Sequence, residues 1–414
     1  MYKLSERQNF YVYLPQTCTN YKTNCEIVLL IFMNKIIIVG CGLCGGVIAR
    51  ECAEAGFNVR IFERRNHIAG NLFDYVDDHG ILVQKYGPHT FHTTKKIIYD
   101  YIRKFSDWTE YKLKCGAVIN GICTPVPFNF QTIDQFYSVN DAKLLKNHIS
   151  KFFTEKKSVP VVDLITHQDK IIREYGQFLF DNDYSLYSSK QWGIPVENID
   201  TSILRRVPIR LDYKNGYFDD DYQFMPKHSF TSFFKNLINH PRIEVVMNTD
   251  ATQLIQITED KIYFDGRIIN SPLVFTGPID QLFRYENGFL PYRSLRFKFV
   301  YENIESFQKF PVVAYPQIPD FTRITEFKKL TNQKSVGTTY AIEYPLDCQP
   351  GSNNEPYYPV LTHYSNAILN SYKRVSSRIK NLYLCGRLAN FKYYNMDQAI
   401  EVALNTSKAI IDKI

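Results

Sequence analysis

At 414 residues, 45% hydrophobic and 22% charged, the chain has the composition of a folded protein of two or three domains, which excludes a disordered or fibrous polymer. A net charge of +7 without a long basic run argues against nucleic-acid binding, while leaving room for a local basic pocket for an anionic small molecule. Nine cysteines, an odd number set in apolar or glycine-rich surroundings, indicate reduced thiols and a cytoplasmic protein.

In chain order, the first apolar run is "IVLLIF" (Ile27 to Phe32), far short of the ~20 residues that span a bilayer. It has neither a basic flank nor a small-residue cleavage site, so it does not read as a secretory signal. Met33 opens "MNKIIIVG" as a natural protein start would, and residues 1–32 read as an extension.

"KIIIVGCGLCGGVIARECAEAGFNVRIFERR" is the strongest single pattern. The β-branched run Ile36 to Val39 predicts a buried parallel strand. Gly40, Gly42 and Gly45 then stand in G-x-G-x-x-G spacing, with Leu43 among them, followed by a helical pattern from Val47 and a second strand from Asn58 to Phe62. Gly40 permits the tight turn, Gly42 lets backbone approach a pyrophosphate, and Gly45 lets helix and strand pack closely. Glu63 falls where a carboxylate meets ribose hydroxyls. Strand, loop, helix, strand and acid in register predict a dinucleotide-binding unit. Cys41 and Cys44 form a C-x-x-C inside this loop, but with no second pair to complete a zinc site they read as small packing residues.

After Glu63, the turn "RRNHIAGN", with Arg64, Gly70 and Asn71, resembles flavoproteins of the glutathione-reductase and amine-oxidase type. "GPHTFH" (Gly87 to His92) follows, with His89 and His92 open to readings as metal ligands, a catalytic base or part of a cofactor wall. No third ligand at a plausible spacing supports a metal, and none is assigned. Residues 105–184 carry helical spacing in "VNDAKLLKNHISKFFTEKK" and "VVDLITHQDKIIREYGQFLF". Residues 185–239 and 280–361 alternate aromatics with charges between Pro and Gly breaks and read as antiparallel sheet. The piece 240–279 reads as strands and hairpins, with a turn at Asp265-Gly266. Near the C-terminus a strand (Leu382 to Cys385) precedes Gly386-Arg387, then a helix from about Met396 whose N-terminus would point at a flavin ring. The expected architecture is α/β: a discontinuous FAD-binding Rossmann-like domain (33–104, 240–279 and 362–414), a helical domain (105–184) and an antiparallel β-sheet substrate domain (185–239 and 280–361).

Taken together, "GPHTFHT", "YSSKQWG", "VPIR", "DDYQFMP", "TGPIDQLF", "YRSLRF", "TRITEFK", "EYP", "YYPV" and "GRLANFKYYNMD" resemble the UDP-galactopyranose mutases of prokaryotic type, from Met33 to the C-terminus. The resemblance implies an isomerase that interconverts UDP-galactopyranose and UDP-galactofuranose. It implies reduced FAD as cofactor, with a covalent flavin N5–galactose adduct and no net redox change. It also implies a homodimer without nucleic-acid or membrane partners, supplying galactofuranose for cell-envelope glycans.

Residue by residue, the resemblance implies that Arg210 and Arg323 grip the diphosphate, as suits a permanently charged planar fork. Tyr358 and Tyr393 would add phenolic phosphate contacts, and Tyr222 a uridine-side or phosphate contact. Tyr187 would stack on uracil, with Ser188 offering a hydroxyl and Trp192 walling the sugar pocket. Glu343 is a candidate polar group near the sugar. His89 and His92 would border the isoalloxazine, and Gly386, Arg387, Asn395 and Met396 would close the cofactor site. The chain departs from the family's pattern at Asp183 and Tyr184, where paired phenylalanines are usual, and at Asn395, where some members carry Asp. Two rival readings are a flavin oxidoreductase of the amine-oxidase type and a nucleotide-binding sensor that has lost turnover.

Overall fold

The computed structural model describes residues 35–352 and 354–414, so the sequence's expected extension at 1–32 and start at Met33 lie outside the described residues. Burial of alternate β-branched residues organises the first unit: Ile36 and Ile38 of the strand Lys35–Val39 are fully buried. That strand is the centre of a five-stranded sheet, with Asn58–Phe62 and then Ile243–Val246 on one side, and Leu273–Phe275 and then Leu382–Leu384 on the other. All four pairings are parallel. Being covered on both faces, such a sheet needs helices above and below it. The helix Leu43–Glu54 packs against the terminal helix Met396–Ile411 and against Phe230–Ile238.

A second, seven-stranded sheet runs in the order Tyr358–Pro359, Tyr292–Glu302, Thr338–Cys348, Arg323–Glu326, Val312–Ala314, Cys115–Ile119, Ile122–Val126. Its pairings are antiparallel except that between Val312–Ala314 and Cys115–Ile119. Its register sets Arg323 directly across from Glu343. A smaller sheet brings Phe91–Thr93 and Trp108–Glu110 onto either side of Tyr222–Pro226.

The helices Val139–Phe152, Val161–Ile165 and Lys170–Leu179 bury their apolar faces in one cluster around Leu145, Ile149, Leu164 and Ile172. Ser138 and Asp169 cap two of them, each accepting a hydrogen bond from an amide three residues on. One turn of π-helix, Phe180–Tyr184, then joins Lys170–Leu179 to the helix Ser185–Trp192.

Two stretches differ from the sequence expectation. Residues 105–126 hold three strands rather than helix, because Cys115, Ala117 and Ile119 alternate into the core beside the seven-stranded sheet. Residues 185–239 are mostly helix and loop: Ser185–Trp192, Thr201–Leu204 and Phe230–Ile238 are helical. In the last, Phe230, Phe233, Phe234 and Leu237 recur at helical spacing behind a Ser229 cap, a signal that the aromatic composition masks. The turn at Asp265-Gly266 forms between antiparallel strands, as expected.

Candidate active site

A deep cleft opens at the C-terminal edge of the parallel sheet. Gly40, Gly42, Leu43 and Gly45 form its floor. Gly40 sits at φ +105°, and a Cβ there would lie 2.0 Å from the Thr276 hydroxyl. A Cβ on Gly45 would lie 2.1 Å from the Gly40 carbonyl oxygen, so the helix can approach the strand only without a side chain. Gly42 caps that helix without a side-chain hydrogen bond, leaving first-turn amides for an anion.

Glu63, only 6% exposed, accepts hydrogen bonds from the Cys41 amide at 2.8 Å and the Arg65 amide at 2.9 Å, one on each carboxylate oxygen. Each oxygen keeps lone-pair capacity for neighbouring hydroxyls of a ribose. Arg64, Gly70 and Asn71 line the same end. Arg64 and Arg65 both pair with Glu355, 2.9 Å away in the case of Arg65. At the other end lie Gly386, Arg387, Asn395 and Met396, the last opening the terminal helix. A floor that excludes side chains, free helix-start amides and a hydroxyl-accepting carboxylate fit a dinucleotide such as FAD. Among the described residues no cluster of His, Cys, Asp and Glu could hold a metal ion.

The two histidines of "GPHTFH" part company. His89 lines the cleft, its Nδ1 2.9 Å from the Gly87 carbonyl. Burial, aided by the charge of Arg387, pushes its pKa down to about 4, so it is a neutral imidazole near pH 7. Its backbone is pinned by buried Gln84, which accepts from the His89 amide at 2.6 Å and donates to its carbonyl at 3.0 Å. His92 does not line the cleft: its ring stacks on Phe218 at 3.5 Å and its Nδ1 lies 3.2 Å from Asp220. His89 precedes the strand Phe91–Thr93, whereas His92 lies within it across from Gln223, so the two rings are carried to different places.

Beside the cleft the sheet delivers a cationic, phenol-rich cluster. Arg323 pairs with the almost fully buried carboxylate of Glu343 at 2.8 Å, and Thr322 donates to the other Glu343 oxygen at 3.2 Å. Burial would lower the guanidinium's pKa, but the charge and hydrogen bond of Glu343 together with the phenols of Tyr187 and Tyr358 outweigh it and raise it. Glu343 thus lies beneath Arg323 as its anchor and adjoins the histidine turn: a Cβ on Gly87 would come within 3.7 Å of it. The phenols of Tyr187, Tyr358 and Tyr393 all lie within reach of the Arg323 charge. Tyr393 has the Arg387 guanidinium 4.4 Å from its ring centre and that of Arg206 at 3.9 Å. Burial alone would raise its pKa, yet Arg387 and Arg206 together draw it below the ordinary phenol value. Trp192 meets Tyr358 edge to face at 5.2 Å, and Ser188 is buried on the same helix.

Two residues expected in this cluster lie elsewhere. Arg210 is 6% exposed, ion-paired to Asp219 at 2.7 Å, and its strand Ile209–Arg210 pairs with Ser158–Val159. Tyr222 stacks on Tyr99 at 4.5 Å on the three-stranded sheet. Two residues not singled out from sequence do lie in the cluster: Arg206, exposed over Tyr393, and Tyr217, half-buried within reach of Tyr187, Tyr393 and Arg323. Arg206 and Arg210 flank the same Pro208, and the one available signal was that "RVPIR" offers two arginines. Arg206→Ala is therefore expected to lower kcat/KM by about 10- to 100-fold, the worth of a charge-assisted phosphate contact. Arg210→Met is expected to leave kcat/KM within about threefold while lowering the melting temperature; steady-state kinetics and thermal melts check both.

The fold and the site define a dinucleotide-binding protein with a cationic, phenol-rich cluster beside the cofactor cleft. The structure aligns with reduced UDP-galactopyranose mutase at TM-score 0.71 and 16% identity over 92% of this chain and 94% of that one. It aligns with a putative protoporphyrinogen oxidase from Exiguobacterium at TM-score 0.61 and 13% identity, over 92% and 99%. Residues 38–105 match an NAD(P)-binding Rossmann-like domain, and residues 183–393 match the UDP-galactopyranose mutase family. The chain is 34% identical to the UDP-galactopyranose mutase of Mycoplasma pneumoniae over 91% of its own length and 96% of that protein. It is 32% identical to the dTDP-fucopyranose mutase of Escherichia coli, over 92% and 99%. The chain belongs to the UDP-galactopyranose mutase family, a family of isomerases, and its fold and structural neighbours point to a flavin cofactor. Among the described residues no helix is long and apolar enough to cross a membrane.

Proposed function

We propose that this protein interconverts UDP-galactopyranose and UDP-galactofuranose, using reduced FAD held in the cleft, as a cytoplasmic homodimer that supplies galactofuranose for cell-envelope glycans. The observation that carries the reading is the convergence of Arg323, Arg206 and Arg387 on the phenols of Tyr187, Tyr358 and Tyr393 directly beside the cofactor cleft. An isomerisation in which the nucleotide leaves the sugar and then returns requires the diphosphate to be kept in place meanwhile. Fixed guanidinium forks and phenolic donors do this without reorganisation. Bound in its reduced form, FAD supplies flavin N5 as the nucleophile toward the anomeric carbon, the covalent chemistry the family resemblance implies.

In this scheme Glu343 holds Arg323 at the phosphate position. Arg206, on an exposed loop, closes from the opposite side and excludes water. Tyr187 and Ser188 take the nucleoside, and Trp192 walls the sugar. His89 stays neutral against the cofactor, so it presents hydrogen-bonding capacity there without adding charge. Asn395 opens the terminal helix with its amide donating to Gln398 at 3.0 Å and contributes no acid. The chain divides in this proposal into a cofactor unit assembled from both ends and the middle, a helical unit, and a sheet that carries the phosphate cluster.

Purified protein should be yellow and, with dithionite, should convert UDP-galactofuranose to UDP-galactopyranose on HPLC. Equal conversion without reductant, or oxygen uptake with an amine, would point to the oxidoreductase reading instead. Binding of UDP-galactose without conversion would point to the sensor.

A further inference from the structure

The segment "DND", Asp181 to Asp183, sits on the single π-helical turn between two α-helices. π-turns of this kind re-aim side chains and recur at functional sites. Two of its three polar side chains are spoken for. Asp181 accepts from the Gln177 amide nitrogen at 2.7 Å. Asn182 donates to the Phe178 carbonyl at 2.8 Å and accepts from Gln317 at 3.1 Å.

Asp183 is different. It is half-buried, and among the described residues its carboxyl makes no hydrogen bond. Burial pushes its pKa up to about 7, against the opposing pull of Lys190. Lys190 itself is committed to backbone: its ammonium donates to the carbonyls of Tyr315 at 2.8 Å, Pro316 at 3.2 Å and Ile318. Tyr184 is committed as well, its hydroxyl donating to the Val207 carbonyl at 2.6 Å and its ring packed edge to face on Phe128 at 5.8 Å. A half-buried carboxyl with no protein partner among the described residues, its oxygens open to solvent, is free to accept a hydrogen bond from a ligand. Asp183 stands one turn before Tyr187, near enough for its charge to be felt at the Tyr187 hydroxyl.

We propose that Asp183 reads the base of the nucleotide substrate, its carboxyl oxygen accepting the N3–H of a uracil- or thymine-type imide whose face lies on Tyr187. The inference rests on the reading of Tyr187 as the nucleoside platform. An imide presents one donor, N3–H, between two carbonyl acceptors. A carboxyl offers that donor an acceptor oxygen in either protonation state. The polar residue at this position thereby adds hydrogen-bond selection to a stacking site. Uracil and thymine share the group, so Asp183 selects the imide and not the sugar-nucleotide subclass.

The test is calorimetric titration of the flavin-loaded protein with UDP, dTDP and N3-methyl-UDP. For the wild type, N3-methylation is expected to weaken binding by about 10- to 100-fold, since it removes the donor and leaves the carboxyl unpaired. In Asp183→Phe and Asp183→Leu the same methylation is expected to cost no more than about twofold, while Asp183→Asn, whose amide carbonyl still accepts, retains most of the wild-type penalty. An equal methylation penalty in wild type and Asp183→Phe overturns the proposal, as does no penalty in the wild type. So does a loss in Asp183→Leu confined to UDP or to dTDP. Failure of the wild type to bind either UDP or dTDP overturns the underlying nucleotide reading instead, and is seen before any variant is made. The wild-type arm needs no substitution, so a misfolded variant does not shelter the idea.

Discussion

Arg323→Ala is expected to lower kcat/KM by about 10²- to 10³-fold while the purified protein keeps its flavin absorbance. The size follows from where the residue sits. Arg323 is held by the cross-strand register against Glu343 at 2.8 Å, and Thr322 backs that carboxylate. If Arg323 holds the diphosphate as proposed, losing that preorganised cation costs about 3–4 kcal/mol of transition-state stabilisation. There is a second, separable cost. The Glu343 side chain is 1% exposed, and alanine at 323 leaves its carboxylate buried with only Thr322 for company. Breaking one side of such a pair destabilises by about 3–5 kcal/mol. Thermal melts should therefore fall along with turnover. Arg323→Lys separates the two effects: an ammonium keeps Glu343 company but offers no planar fork. Its melting temperature should largely recover while kcat/KM stays at least about tenfold down. Recovery of both would mean that Arg323 serves only to neutralise Glu343, and loss of flavin in either variant would reassign it to the cofactor site.

Gly40→Ala is expected to yield protein that purifies colourless, with flavin occupancy below about a tenth of wild type. The methyl would be placed 2.0 Å from Thr276 Oγ1, at a backbone φ of +105° that side chains rarely adopt. Thr276 cannot simply turn away, because its hydroxyl donates to the Val39 carbonyl at 2.8 Å and its amide to the same carbonyl at 3.0 Å. The strand end or the loop must shift, and both are floor of the cleft. Gly80→Ala is the matched control: φ is +78° there too, but nothing lies within 4 Å of the added methyl. It should cost on the order of 1 kcal/mol and leave the protein yellow. Flavin absorbance per mole of protein, with circular dichroism to confirm folding, decides between local strain and loss of the site.

How far the sequence could be read depended on whether the deciding contact was local. The glycine loop is a contiguous backbone device, and its spacing alone predicts strand, turn and helix as they stand. Leu382–Leu384 was legible as a returning strand because a glycine turn and a helix start follow it directly. Arg206 and Arg210 could not be told apart in this way. They are equivalent about Pro208 until Ile209–Arg210 pairs with Ser158–Val159, some 50 residues upstream, and draws Arg210 onto Asp219. The same holds for Tyr217 and Tyr222: the second belongs to a strand facing Thr93, which fixes its ring on Tyr99. The two histidines likewise part through non-local contacts: His89 precedes the strand Phe91–Thr93 and lines the cleft, whereas His92 lies within that strand and stacks on Phe218.

The parallel sheet has a consequence for how the protein is made. Its centre is residues 35–39, yet its outer strand is residues 382–384, and the helix that covers the first helix is the last one in the chain. During synthesis the amino-terminal strand–helix–strand emerges first with both strand edges unpaired; Ile243–Val246 and Leu273–Phe275 fill them only past the midpoint of the chain, and the outer strand and the covering helix come last. The cleft, lined by residues from Val39 to Ala399, is complete only once the last helix has docked. Carboxy-truncated products, even those missing only the final helix, carry every glycine of the nucleotide loop and are expected to purify without flavin.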